Sequence, residues 1–350
     1  MRNVTIVHVA EKARVSVKTV SRVVNNEPTV TPDLRARVEA AIEQLGYSPN
    51  IAARRMGGGR SFLIVAFNDR TLTLENWRSD RGNNWIDRMQ YGAMLRCDVH
   101  GYHLLCELID LESDQLARRV QHVLSTLRPD GVILTPPNCE DPTVLAALKK
   151  AQIPFVRLGS AQAGPGARVR MDDQAAARQL TEHLLTLGHR RVGFVTGSPR
   201  FLASRAREDG YRGALAKAGL AVDESLLVPG DFTFEGGVAA AEALLARADR
   251  PTAILAGNDE TALAVLHVAR RLSVAIPDAL SLATFDDTPS VRLSLPPLTT
   301  VRQPVAEMAA EAVDILVACA AAKDGKPPRG DRLLPFELAL RASTAPPPAG

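Results

Sequence analysis

Cysteine is scarce in this chain, with four in 350 residues, and Cys97, Cys106, Cys139 and Cys319 stand too far apart to form a C-x-x-C pair. That spacing gives neither a disulfide framework nor a zinc loop. The four are read as small buried hydrophobes in a reducing compartment. No apolar run approaches the roughly 18 residues that cross a bilayer, and no uninterrupted apolar run marks the N-terminus for export. The expected address is cytoplasmic, with no membrane partner. Catalytic signatures are missing as well. No G-x-G-x-x-G follows a strand-like run, no G-x-x-x-x-G-K-[ST] occurs, the seven histidines form no H-E-x-x-H, and there is no G-x-S-x-G elbow. The chain is expected to be no enzyme and to need no cofactor or metal.

Charge is unevenly spread. Residues 1–60 hold ten Lys/Arg against five Asp/Glu, a balance of +5, while the other 290 residues hold 32 against 34, a balance of −2. A basic excess confined to one end points to a polyanionic partner there.

Three helices can be read in those first sixty residues. Thr5 can cap one whose apolar positions Ile6, Val9, Ala10 and Ala13 follow helical spacing. Ser16 can cap a second beginning at Val17. Thr31 followed by Pro32 starts a third, with the stripe Leu34, Val38, Ala41, Ile42 and Leu45, and Gly46 can end it. Two short helices joined by a tight turn and braced by a third describe a helix-turn-helix module. On the second helix Lys18, Ser21, Arg22 and Asn25 share one stripe, and Val20, Val23 and Val24 lie opposite. In such a module that stripe enters the major groove. Arg22 suits a bidentate contact with guanine, and Lys18 can donate to guanine acceptors. Ser16, Thr19, Ser21 and Asn25 suit phosphate oxygens. Residues 50–56, "NIAARRM", are too short for an independent helix and precede Gly57, Gly58 and Gly59, so they should fold on docking to DNA. A plain basic linker is the other reading.

From Ser61 onward, apolar strand-like runs alternate with amphipathic helical stretches. "FLIVAF", "YHLLCELI", "DGVILTPP" and "IPFVRL" form one series; "RRVGFVTG", "LLVPGDF", "TAILAGND" and "LSLATFDD" form a second. This predicts two doubly wound halves of parallel sheet, with ligands beyond the carboxyl ends of the strands. At those ends stand Phe232, Asn258, Asp259, Asp286 and Asp287, with Arg205 and Arg207 at the start of the helix after "RRVGFVTG". Carboxylates, an amide, a guanidinium and a ring suit a polyhydroxylated ligand. Helix capping is the competing reading for each Asp and Asn. In the charged stretch 68–88, Trp77 and Trp85 can stack on a sugar or serve as packed anchors.

The stretch "TIVHVAEKARVSVKTVSRVVNNEPTVTPDLRARVEAAIEQLGYSPNIAARRM" resembles the head of the lactose-repressor (LacI/GalR) family. "VRMDDQAAARQLTEHLLTLGHRRVGFVTG", "RAREDGYRGALAKAGL", "RPTAILAGNDETALAVL" and "LSLATFDDTPSVRLSLPPLTTVRQP" are similar to its effector domain. The resemblance runs from about Thr5 to Thr344. It implies a three-helix DNA-binding domain with a hinge helix near 50–56 over residues 1–60. Over 61–345 it implies a periplasmic-binding-protein-like α/β domain of two doubly wound subdomains. Val17, Lys18 and Arg22 would read bases, with Thr5, Asn50 and Ala53 completing the DNA-contacting set. Met56 would occupy the position that wedges between base pairs. His8 stands where many relatives carry an acid. Asp173, Arg207, Asn258 and Asp286 would contact ligand, and Phe232 would stack on it. The implied function is a sequence-specific repressor of carbohydrate-utilisation genes, binding a palindromic operator and a sugar-type effector. With no leucine heptad near "STAPPPAG", a homodimer is expected rather than a tetramer. A nucleobase corepressor is the alternative effector, and a transport binding protein is the alternative class.

Operator affinity should therefore fall steeply with rising salt, in proportion to the phosphates neutralised. Arg22→Ala should cost about 1–3 kcal/mol and relax preference at one base pair per half-site. Binding isotherms across a salt series, on the selected operator and on variants mutated base by base, check both. Salt-independent affinity, or equal weakening on every sequence, would contradict this reading.

Overall fold

The computed structural model describes residues 4–24, 29–47, 60–79, 82, 84–322 and 329–348. The chain divides into two compact units, Met1–Phe62 and Leu63–Gly350.

The first unit contains α1 (Ile6–Ala13), α2 (Val17–Val24) and α3 (Pro32–Leu45). Thr5 precedes α1 in extended conformation, and its backbone N–H donates to Nδ1 of His8 at 3.1 Å. His8 thus takes the part that a Glu or Gln side chain plays in a capping box. Arg14 closes α1 with φ of 52°, and Ser16 Oγ accepts the Thr19 N–H at 3.1 Å to cap α2. Gly46, at φ 60°, ends α3, where a residue without Cβ carries no steric penalty. The core is Val9, Ala10, Ala13, Val20, Val23, Val38 and Ala41. Arg37 Nη2 donates to the Ala13 carbonyl at 2.7 Å, tying α3 to the open end of α1.

The second unit has two lobes, each built on a six-stranded sheet. In the first lobe β1 (Leu63–Asp69), β2 (His103–Ile109), β3 (Gly131–Leu134), β4 (Phe155–Leu158) and β5 (Ala167–Arg170) are parallel. Around them run α4 (Arg70–Arg78), α5 (Asn84–Val99), α6 (Leu116–Leu127) and α7 (Pro142–Ala151). The second lobe has β6 (Val192–Val195), β7 (Leu227–Val228), β8 (Ala253–Ala256), β9 (Ser281–Asp286) and β10 (Thr299–Arg302). Its helices are α8 (Asp173–Thr186), α9 (Leu202–Lys217), α10 (Phe234–Leu245), α11 (Asp259–Arg271) and α12 (Pro289–Leu293). The chain then returns to the first lobe through α13 (Val305–Ala321) and β11 (Gly330–Leu333), and ends in the second with β12 (Glu337–Ala339), antiparallel to β10. It passes between the lobes after β5, after β10 and after β11.

The strand orders, β11-β5-β4-β3-β1-β2 and β12-β10-β9-β8-β6-β7, place the reversals at β1/β3 and β6/β8. Such switch points open a crevice at the carboxyl ends. Central strands β1, β3, β4, β6 and β8 are buried along their whole length, which explains their unbroken apolar runs. Edge strand β2 is not, and this corrects one expectation. Cys97 and Cys139 are buried, but Cys106, on β2, is exposed, and Cys319 is half-buried. Burial pushes the Cys97 thiol up to about 12. Gly92 sits where α5 crosses α13, and a Cβ there would collide with the Ala306 carbonyl.

The C-terminal tail is locked to the second lobe through Asp287. Its carboxylate is 0 % exposed and meets Arg302 Nε at 2.7 Å, Arg341 Nη2 at 2.5 Å and Arg292 Nε at 3.3 Å. Ser343 Oγ accepts the Thr299 N–H at 2.8 Å and donates to the Leu282 carbonyl at 2.5 Å. Burial raises the Asp287 carboxyl, but the hydrogen bonds and charges of Arg302, Arg341 and Arg292 outweigh it and hold the group below the usual range. A depressed carboxyl contributes stability above its unfolded value, about 3.9, and loses it as pH falls through the folded value. Asp287→Asn should cost about 1–3 kcal/mol at pH 7, because it removes charged hydrogen bonds while Arg292 and Arg302, partly open to water, can be rehydrated. The deficit should shrink below pH 4. Urea unfolding at both pH values tests this, and an unchanged midpoint at pH 7 would refute it.

Candidate functional site

In the first unit the exposed side of α2 carries the residues assigned to DNA. Val17 is 42 % exposed although apolar, and Lys18 and Arg22 are exposed beside it. Val20 and Val23 face the core. Ser21 and Thr19 are half-buried, and Thr19 Oγ1 lies 2.9 Å from Ser16 Oγ, so both hydroxyls help to close the N-terminus of α2. Thr5 is exposed at the start of α1. Asn25, Asn50, Ala53, Met56 and the expected hinge helix lie outside the described residues.

In the second unit a cavity of about 170 Å³ lies between the lobes. It brings together Asp173, Arg207, Phe232, Asn258, Asp286 and Trp85. Trp77, 54 % exposed on α4, and Arg205, exposed on α9, are not among its walls. Local sequence explains each placement. Asp172, not Asp173, caps α8, accepting the Ala175 N–H at 2.9 Å, which leaves Asp173 Oδ1 to accept from Arg207 Nε at 2.9 Å. Arg207 Nη1 donates to the Gly257 carbonyl at 2.7 Å, and the guanidinium stands 4.3 Å from the Phe285 ring centre. Three partners thus fix a guanidinium that is only 5 % exposed. Burial raises the Asp173 carboxyl against the opposing charge of Arg207.

Asn258 does cap its helix, its Oδ1 accepting the Thr261 N–H at 3.0 Å and its Nδ2 donating to the Phe232 carbonyl at 3.0 Å. The capping reading of this residue holds, and the same amide ties down the Phe232 loop. Phe232 has φ of 70°, and its ring lies so close to Gly197 that a Cβ there would overlap it. Phe201 packs edge-on, with ring centres 5.6 Å apart.

Asp286 ends β9 with φ of 110°, a strained value for a residue with a Cβ. Gln303 Nε2 and the Asp259 backbone N–H donate to its carboxylate. Burial pushes its pKa up to about 6, opposed by Arg207 and reinforced by Asp173. Burial, then the Asp286 charge, also raise neighbouring Asp259. Across the cleft Asp69 caps α4 through Oδ1, at 2.7 Å from Leu72 N, and receives Arg200 Nη2 from the other lobe on Oδ2 at 3.2 Å. Gln303, Asn84, Phe201, Gly197 and the Arg200–Asp69 pair were not singled out from sequence. "VRQP" lay in a segment resembling the effector domain, but nothing in it marks the glutamine. Among the described residues no group of His, Cys, Asp and Glu is placed to hold a metal ion, and no helix is long and apolar enough to cross a membrane.

This geometry, a helix-turn-helix unit and a cleft between two doubly wound lobes, has known counterparts. The lacI family of bacterial regulatory proteins matches residues 5–50, and the periplasmic binding protein-like domain matches residues 181–344. Catabolite control protein A of Priestia megaterium is 33% identical over 316 residues, covering 90% of this chain and 92% of its own. The HTH-type transcriptional regulator CelR of Thermobifida fusca is 33% identical over 322 residues, 90% and 92% of the two chains. The ribose operon repressor of Escherichia coli K12 is 30% identical over 317 residues, 89% and 92%. Among solved structures, a CelR–cellobiose complex superposes with a TM-score of 0.71 at 29% identity, covering 97% of this chain and 99% of that one. The lac repressor dimer bound to operator and the anti-inducer ONPF gives 0.79 at 26%, covering 98% and 100%. The likeness extends through head and lobes alike, and the chain belongs to the LacI family of bacterial transcriptional regulators.

Proposed function

We propose that this regulator is a cytoplasmic repressor that binds a palindromic operator as a homodimer and is controlled by a small sugar held between its lobes. The carrying observation is Arg207, fixed by Asp173 and the Gly257 carbonyl beside Asp286 and the Phe232 ring. An ionised carboxylate accepts from neighbouring hydroxyls, a guanidinium donates to ring and hydroxyl oxygens, and an aromatic face covers the apolar side of a pyranose. A cavity of about 170 Å³ is smaller than the roughly 300–1,000 Å³ of drug-sized pockets, which favours a compact ligand. CelR with cellobiose and the ribose operon repressor are relatives whose names carry a sugar. For the dimer, Tyr91, Met94, Leu95 and Val99 make a stripe on α5 that is 54–72 % exposed, and Leu293 and Leu295 are 82 % and 87 % exposed in the other lobe. Patches of this kind suit a second copy.

The Arg200–Asp69 pair and the cavity both span the lobes, so a ligand gripping both sides favours the closed cleft. It changes operator affinity only by its differential affinity for the two states.

A thermal-shift screen of monosaccharides and disaccharides, followed by calorimetry, tests this reading. A ligand at 100 times its Kd adds about 2.7 kcal/mol. Asp286→Asn, which tolerates the positive φ, should weaken the best sugar by roughly 10- to 150-fold, the loss of a charged hydrogen bond of about 1.5–3 kcal/mol. Operator binding without sugar should stay near wild type. Because Asp286 titrates at about 6, sugar affinity should decline as pH falls from 7.5 to 5, where the carboxylate gains its proton. Unchanged sugar affinity in Asp286→Asn, with a flat pH profile, would reduce Asp286 to a structural residue.

A further inference from the structure

Behind the cleft wall stands a second acid. Asp259 opens α11, is 2 % exposed and does not line the ligand cavity. Its backbone N–H donates to the Asp286 carboxylate, which makes the two acids neighbours. Its own Oδ2 accepts the Thr288 N–H at 2.7 Å and so holds the turn that follows Asp287. Oδ1 is buried and has no hydrogen-bond partner among the described residues, although the hydroxyls of Thr284 and Thr288 face the carboxyl group.

The surroundings of the two acids differ. Asp286 has Arg207 and Gln303 to support its charge, with Asp173 opposing. The next residue, Asp287, is already met by Arg292, Arg302 and Arg341. Asp259 makes no ion pair with a basic side chain among the described residues, and burial and the charge of Asp286 both favour its neutral form. Two ionised carboxylates enclosed side by side repel each other, so a proton settles on the one with less to compensate its charge. Protonation also spares the protein an uncompensated buried anion. We propose that Asp259 is a positioning residue for effector binding: it keeps its proton at neutral pH, so that Asp286 stays ionised and can accept from the ligand's hydroxyls, while Oδ2 fixes the turn behind Asp286. The inference rests on the sugar reading above and deepens it.

Infrared difference spectroscopy and calorimetry on the full-length protein test the assignment. Without ligand at pH 7.5, wild type minus Asp259→Asn should show a carboxylic acid C=O stretch, which only a protonated carboxyl gives. Calorimetry with glucose, galactose, mannose and ribose between pH 5 and 7.5 reads the consequence. Asp259→Ala, which loses the anchor on Thr288, should weaken the best of these sugars by about fivefold or more. Asp259→Asn, which keeps an acceptor for Thr288 and carries no charge, should restore affinity to within about twofold of wild type. It should also leave the midpoint of the low-pH decline where it was. A missing infrared band would overturn the proposal and leave the sugar reading standing. So would an Asp259→Asn midpoint lowered by about one pH unit or more, the response to removing a like charge. Equal sugar affinity in all three proteins would deny Asp259 any part in positioning. If none of the four sugars binds, the sugar reading falls and this role falls with it.

Discussion

One buried carboxylate organises the second lobe. Asp287 is fully enclosed and answers to guanidiniums from three separate segments, the short helix α12, strand β10 and the C-terminal tail. Removing an anion from water is costly, and only several well-placed cations compensate it. The arrangement therefore fixes all three segments at once. It also fixes its neighbour. Asp286 and Asp287 both have positive φ, 110° and 61°, a combination that persists only where surrounding structure over-determines it. With Asp287 anchored by these arginines, Asp286 is left to the cleft.

The cleft follows a different rule from the core. Its acids, Asp173 and Asp286, are raised by burial, and one fixed arginine offsets them in part. Stability is set elsewhere, in the apolar strands and the close helix crossings, so the cleft can hold costly groups for recognition.

Much of this was legible in the sequence. The three opening helices announce themselves because each pairs an apolar helical stripe with its own start signal, Thr5, Ser16 or Thr31. The two lobes are readable because central strands buried on both faces leave uninterrupted apolar runs. What stayed hidden depends on contacts between distant residues. Asp286 and Asp287 are equivalent in sequence, and it is Arg292, Arg302 and Arg341, from three separate segments, that hold Asp287 and leave Asp286 to the cleft. Trp77 and Trp85 looked alike, yet they fall on different helices and only Trp85 reaches the cavity. The capping signal at Asn258 was correct but incomplete, because the amide also holds the Phe232 carbonyl from the neighbouring loop. Cys106 could not be told from a buried cysteine until β2 was known to be an edge.

The lobes are joined by three neighbouring crossings of the chain, after β5, β10 and β11. Two bodies on a single tether can swivel, slide and twist. On three adjacent tethers, sliding stretches one against another and twisting shears all three, so the soft motion that remains is rotation about the line through the crossings. A bound molecule's differential affinity for the two states therefore acts along one angle. Molecules of different chemistry can differ in how far they bias that angle, but they share a single axis of response.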